Sequence, residues 1–301
     1  MPDFTIIEAP SQLGLRPGTV ERLPDALLEA GLARRLGARR HARLAVPPYD
    51  PRRDPETGIL NASRIRDFSV MLADIVAPVV ARGSFPVVLG GDCSILLGNL
   101  LALRRSGGRH GLLFLDGHAD FYQPDASPTG EAANMDLALA TGRGPGLLGD
   151  IEGLRPLVRD EDVALLGHRD GAQALASGSQ LLPAALFAQD LDELRHVGAH
   201  EAARAAIEHL CRPELDGFWI HLDVDVLDDA IMPAVDYRMP DGLSWEELEI
   251  ILGAALRSKR ALGIDITIFN PKLDKDGSIA RRFAEALGEG LNGPQRRATS
   301  G

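Results

Sequence analysis

The sequence predicts an α/β protein in which a parallel sheet is covered by helices on both faces. Three observations lead there. Short apolar runs of strand length recur along the chain, amphipathic stretches separate them, and hard-ligand residues gather just beyond several of the runs. The runs at 4–7 (FTII), 86–89 (PVVL), 112–115 (LLFL), 163–166 (VALL), 218–226 (FWIHLDVDV) and 262–268 (LGIDITI) read as strands. Their unbroken apolarity suits strands buried on both sides, as crossover helices require. The clearest helix spans 64–82, where Ile65, Phe68, Met71, Leu72, Ile75, Val76, Val79 and Val80 repeat at three and four. Pro78 lies inside that pattern and predicts a kink or an early end. Ser244-Trp-Glu-Glu247 is a capping box, so a further helix should begin there. With no repeat or linker in view, residues 1–290 read as one α/β domain and 291–301 as a flexible tail.

Composition narrows the function. The chain has 301 residues, and its 43 Asp and Glu against 32 Lys and Arg give a net charge of −11. An acidic surface argues against nucleic acid or an anionic membrane as partner. No apolar run approaches the ~20 residues of a membrane span, and MPDFTIIEAP lacks the features of a secretory leader. The two cysteines, Cys93 and Cys211, offer no disulfide framework, so the expected location is the cytoplasm. Two other matches are set aside. Gly144–Gly149 fits a glycine-rich dinucleotide pattern but follows no strand, and Asn61-Ala-Ser63 is a sequon without a secretory context.

Ligands of open α/β sheets collect at the carboxyl ends of strands. Here 86–89 is followed by Gly90-Gly91-Asp92-Cys93-Ser94, and 112–115 by Asp116-Gly117-His118-Ala119-Asp120. The run 218–226 contains His221, Asp223 and Asp225. In extended backbone, residues 116, 118 and 120 project to one side, as do 221, 223 and 225. Several carboxylates converging in a pocket repel one another unless cations lie between them. Carboxylate with imidazole suits Mn²⁺ and its neighbours. Asp228 and Asp229 read as solvated turn residues.

These motifs resemble the arginase, agmatinase and formiminoglutamase superfamily along essentially the whole chain. GTVERLPDALLEAGL at 18–32 looks like its amino-terminal segment, GGDCS at 90–94 like GGDHS, and DGHAD at 116–120 like DAHxD. DVDVLD at 223–228 is similar to DxDxLDP, and IDITIFNP at 264–271 to xDxxExNP. The resemblance implies a three-layer αβα fold with a parallel sheet of roughly eight strands, as in arginases and deacetylases. It also implies a homo-oligomer (trimer or hexamer) and two divalent cations, Mn²⁺ above all. A hydroxide bridging them would attack a linear C–N bond of a guanidino or amidino substrate. Asp116 and Asp223 would bridge both metals, Asp120 and Cys93 would complete one site, and His118 and Asp225 the other. Asp120 would pass a proton to the departing amine.

Three positions depart from the family pattern. Cys93 stands where most members have histidine; it is either a thiolate ligand, favouring Zn²⁺ or Fe²⁺, or a buried thiol that binds nothing. In 127–142 the family's SGNxHG is absent: Glu131 and Ala133 hold the places of its Asn and His, and Glu131 and Asn134 are the candidate substrate contacts. His221 is either a replacement proton carrier or a hydrogen-bonding support behind the ligands. Ile268 replaces the Glu that pairs with the guanidinium in arginases, which weakens arginine as the substrate. A branch of hydroxyarginine hydrolases shares the Cys but retains that Glu. The expected activity is therefore metal-dependent hydrolysis of a substrate other than arginine, with a catalytically impaired regulatory or structural paralogue as the alternative. A zinc deacetylase is disfavoured, because no two of the eight histidines are adjacent.

Overall fold

In the computed structural model, which describes residues 2–293, eight strands form one sheet in the order β2-β1-β3-β8-β7-β4-β5-β6, every neighbouring pair parallel. The strands are β1 (Phe4–Glu8), β2 (Arg39–Arg43), β3 (Phe85–Leu89), β4 (His110–Leu115), β5 (Val163–Leu166), β6 (Phe187–Gln189), β7 (Gly217–Asp223) and β8 (Ala261–Thr267). All six runs read from the sequence are strands. The two further strands lie at the sheet edges, where only one neighbour has to be satisfied. β2 is Arg-Arg-His-Ala-Arg and largely exposed, so it carries no apolar pattern. It is held instead by Arg40 and Arg43, which both bond the buried Glu8 carboxylate of β1 at 2.6 and 2.8 Å.

Helices cover both faces, giving the expected three layers. On one face lie α1 (Leu23–Glu29), α2 (Leu32–Leu36), α8 (Leu191–Val197), α9 (Ala199–Leu210), α10 (Trp245–Arg257) and α11 (Ser278–Asn292), packed on Val87, Leu113, Ile220 and Ile264. On the other lie α3 (Ala62–Ala81), α4 (Leu96–Arg104), α5 (Asp136–Ala140) and α6 (Gly146–Gly149), packed on Ile7, Val88, Leu112 and Trp219. The short α7 (Gly171–Ala176) follows β5. Each Leu or Ile sealed in these layers contributes roughly 1.5–3 kcal/mol.

Five details bear out, correct or refine the sequence reading. α3 continues past Pro78 to Ala81, so the proline does not end it. The box at Ser244 caps α10 as expected, with Ser244 and Glu247 exchanging both bonds. β7 stops at Asp223, and 224–226 form a 3-10 turn instead of strand. α11 runs to Asn292 with Leu291 buried, two residues beyond the boundary at 290; residues 294–301 of the expected tail lie outside the described residues. Asn61, of the sequon, is buried, with its amide bonded to Leu13 and Asp50 backbone.

The chain order of the sheet places the site. From β3 the chain crosses to β4, and β8 and β7 later fill the gap between them. The carboxyl ends of four adjacent strands, β3, β8, β7 and β4, therefore open on one crevice at a topological switch.

Candidate metal centre

Each strand end delivers its residues through a local constraint. After β3, Asp92 caps the next turn by accepting from Ser94 N–H at 2.9 Å and from Ser11 Oγ at 2.7 Å, which turns Cys93 inward. The turn runs so close to the amino-terminal loop that a Cβ on Gly91 would lie 1.7 Å from the Ser11 carbonyl oxygen. Only glycine fits there. After β4, the segment 116–120 is a turn and not extended backbone, and Asp120 has φ +45°. Asp170 fixes this turn by accepting from Ala119 N–H at 3.1 Å. After β7, Asp223 caps the 3-10 turn and accepts from Asp225 N–H at 2.8 Å. Arg169 clamps that turn from outside, donating to the Asp225 carbonyl at 2.8 Å and reaching the Val226 and Leu227 carbonyls.

The turns, more than strand alternation, bring the ligand atoms together. Cys93, Asp116 and Asp120 form one group whose potential ligand atoms lie within 4.8 Å of one another, and Asp116, His118 and Asp225 form a second. His118 Nδ1 is 3.0 Å from Asp225 and 3.6 Å from Asp116. Asp223 joins the first group through its Oδ2, which accepts from Cys93 Sγ at 3.0 Å. Asp116, Asp120, Asp223 and Asp225 are all buried. The six positions expected as ligands thus meet in one cluster.

A third group is built from Cys93, Asp136 and His221, also within 4.8 Å. Asp136 escaped the sequence reading; its one signal was a charged residue in the apolar run Met135-Asp-Leu-Ala-Leu-Ala140. His221 lies on β7 directly across from Asp265 on β8. Its Nδ1 meets Asp265 Oδ2 at 2.5 Å, while Asn99 and the Trp219 indole donate to the other oxygen of that carboxylate. Phe114 stacks on the ring, with centroids 4.6 Å apart. His221 is fully buried, and a carrier of protons to bulk water needs an exposure that this ring lacks.

Glu131 is buried and already occupied: it accepts from the Arg16 backbone N–H and from the Tyr237 hydroxyl, both at 2.7 Å. Asn134 faces Ser127 and Thr129. Ala133 and Ile268 are buried and apolar, and Ile268 holds φ +72° while donating its N–H to Gly91. A β-branched residue in that region is strained.

The electrostatics are those of a cation site. Burial, reinforced by Asp225, pushes the Asp116 carboxyl up to about 6 despite the neighbouring His118. Burial and mutual repulsion raise Asp120 and Asp223 well above the usual carboxylate range. Asp136 is raised chiefly by burial. Burial opposes the charged ring of His118, but Asp225 and Asp116 outweigh it and raise its pKa. Asp225 is lowered, because His118, Arg169 and the Gly117 N–H overcome the cost of burial. Buried Asp116 Oδ2, Asp136 Oδ2 and His221 Nε2 have no hydrogen-bond partner. Unpaired acceptors of this kind are costly unless something positive sits among them. The donor set, carboxylate with imidazole and one thiol, fits divalent transition metals.

Fold and cluster together define a three-layer α/β protein with a buried, carboxylate-rich centre for divalent cations. The chain belongs to the arginase family, whose sequence pattern matches residues 3–291. An arginase of Staphylococcus aureus (strain MSSA476) is 29% identical over 293 residues, 94% of this chain and 95% of the relative. The native arginase of Bacillus caldovelox superposes with a TM-score of 0.86 at 26% identity, covering 98% of this chain and all of that one. Proclavaminate amidino hydrolase of Streptomyces clavuligerus shares the fold, with a TM-score of 0.68 at 18% identity, over 97% of this chain and 90% of that one. Family membership makes the chain a ureohydrolase-type, metal-dependent hydrolase of C–N bonds. Among the described residues, no helix is long and apolar enough to cross a membrane.

Proposed function

We propose that the chain hydrolyses a linear C–N bond of a guanidino or amidino compound other than arginine, at a centre of two divalent cations. The observation that carries this reading is the pair of ligand groups sharing Asp116 at adjacent strand ends. Cys93 and Asp120 would hold one ion, His118 and Asp225 the other, with Asp116 and Asp223 between them. Mn²⁺ suits the oxygen-rich side, and Zn²⁺ or Fe²⁺ becomes competitive beside Cys93. Bound dications supply a water acidic enough to ionise near neutral pH. The chain's own groups do the rest. Asp120, buried at the edge of the centre, delivers a proton to the departing amine. Arg169 and Asp170 keep the two turns in register, so that the ligands stay preorganised.

The substrate reading rests on Ile268 and Ala133. An apolar side chain at 268 gives a guanidinium no carboxylate partner, and Ala133 moves no proton. Against it stands the name shared by the nearer relatives, arginase. The amidino hydrolase neighbour shows only that this fold is compatible with another substrate. The same two residues favour a second reading, a paralogue that binds metal without turnover. By family resemblance the protein works as a homo-oligomer, a trimer or hexamer, and its sparse cysteines suit the cytoplasm. The test is urea or amine release from a panel of guanidino and amidino compounds, with metal-loaded and chelator-stripped protein. Metal-dependent release from a panel member other than arginine supports the proposal. Arginine as the preferred substrate overturns the specificity, and full activity after stripping overturns the mechanism.

A further inference from the structure

Asp136 and His221 take no part in the two ligand groups that share Asp116, yet like Asp116 each carries a buried polar atom without a partner. Both side chains are completely buried, and Asp136 Oδ2 and His221 Nε2 each lack a hydrogen-bond partner. They face each other at 3.9 Å, too far for a hydrogen bond. Two ligand atoms, each ~2.1 Å from a tetrahedral ion, stand about 3.4 Å apart, so the gap is close to what an ion between them needs. Cys93 Sγ closes the group on the third side.

The ring is also oriented as a ligand. Asp265 accepts from Asn99 and the Trp219 indole on one oxygen and meets His221 Nδ1 with the other, which fixes the ring in place. Its contact with Nδ1 holds the ring so that Nε2 faces Asp136 and the Cys93 group. A carboxylate behind one ring nitrogen, with the other aimed into a pocket, is the usual support of a metal-binding histidine. Charge points the same way. Five buried carboxylates (Asp116, Asp120, Asp136, Asp223 and Asp225) and the Cys93 sulfur surround this region.

We propose that Cys93 Sγ, shared with the ion beside Asp120, forms with Asp136 Oδ2 and His221 Nε2 a third cation position, for a borderline-soft divalent ion of the zinc class. One thiolate, one imidazole and one carboxylate make a three-ligand site with a fourth position left open. Binding expels the thiol proton, which now bonds Asp223, to solvent. This position does not depend on turnover, and its failure leaves the two-ion proposal standing.

The test is a Co²⁺ titration of the full chain, followed through the thiolate-to-cobalt charge-transfer band, together with anomalous diffraction from wild-type crystals soaked in Zn²⁺. The expected result is a third equivalent of metal that enhances the band. Asp136→Asn and His221→Asn should each lose that equivalent and retain the other two. An anomalous peak should lie among Sγ, Oδ2 and Nε2 in the unmutated protein, a reading that needs no variant to fold. Peaks confined to the surroundings of Asp116 and Asp225 overturn the proposal. So does a titration identical in both variants and the wild type.

Discussion

Stripping the metal should make the protein's stability fall with rising pH, relative to the loaded form. Asp116 has its carboxyl raised from an ordinary value near 3.8 to about 6. A carboxyl raised in the folded state holds its proton there after the unfolded chain has released it, so folding is weakened as pH climbs from 4 to 6. At 1.36 kcal/mol per pKa unit, this single group costs the stripped protein about 3 kcal/mol by pH 7. Asp120, Asp136 and Asp223 are raised as well and add in the same direction. The raised His118 also loses its contribution as pH rises through its folded value. Asp225, lowered in the fold, contributes fully above pH 4 and is lost only in stronger acid. His110, His168 and His209 are lowered by burial and favour folding as pH rises, but they lie outside the ligand groups and cancel between the two forms. The measurement is urea unfolding of chelator-treated and metal-loaded protein from pH 4 to 7.5. The gap between the forms should be small near pH 4 and widen by about 3 kcal/mol or more by pH 7. A constant or shrinking gap would refute the picture of a buried carboxylate cluster relieved by cations.

Other outcomes follow from single residues. Asp116→Asn should weaken metal binding at both groups that share it, by about 100-fold or more, yet raise the stability of the stripped protein; calorimetry and urea midpoints check the two halves. Ile268→Glu places a carboxylate where a guanidinium would otherwise have none, and should raise urea release from arginine; no gain would separate this position from substrate choice. Asp265→Asn replaces one of the two oxygens that meet His221 and Trp219 in a sealed layer by an amide nitrogen and should cost about 3–5 kcal/mol in denaturant unfolding. Gly91→Ala drives a Cβ into the Ser11 carbonyl and should destabilise by more than ~3 kcal/mol, whereas a near-neutral result would mean that the loop moves freely.

The fold was legible wherever burial leaves a pattern. Six strands are sealed in the sheet and read directly as apolar runs, but β2 and β6 at the edges need no such pattern. β2 is held by arginines on Glu8, a long-range pairing with no local trace in the chain. α3 outlasts Pro78 although the proline forgoes its own bond back to the carbonyl of residue 74, and the helix runs on to Ala81. At the site, the clustered residues of DGHAD and DVDV announced themselves by type and spacing. The extended backbone expected of them holds for His221 and Asp223 and fails for the residues after β4 and for 224–226, where turns clamped by Asp170 and Arg169 arrange the side chains. Asp136 was hidden because its meaning depends on His221, 85 positions away in sequence, and on a sheet register that composition does not reveal. The candidate ligands of the two groups that share Asp116 were legible, with their division, from motif and resemblance; the third group was not, because it needs Asp136.

The most direct test of the central claim is the divalent metal bound per chain, measured by mass spectrometry on wild type and Asp116→Asn after equilibration with Mn²⁺ and removal of free ion. The account predicts at least two ions on the wild type and the loss of those two in the variant. A wild-type protein that retains none, or a variant that retains the full complement, would contradict it.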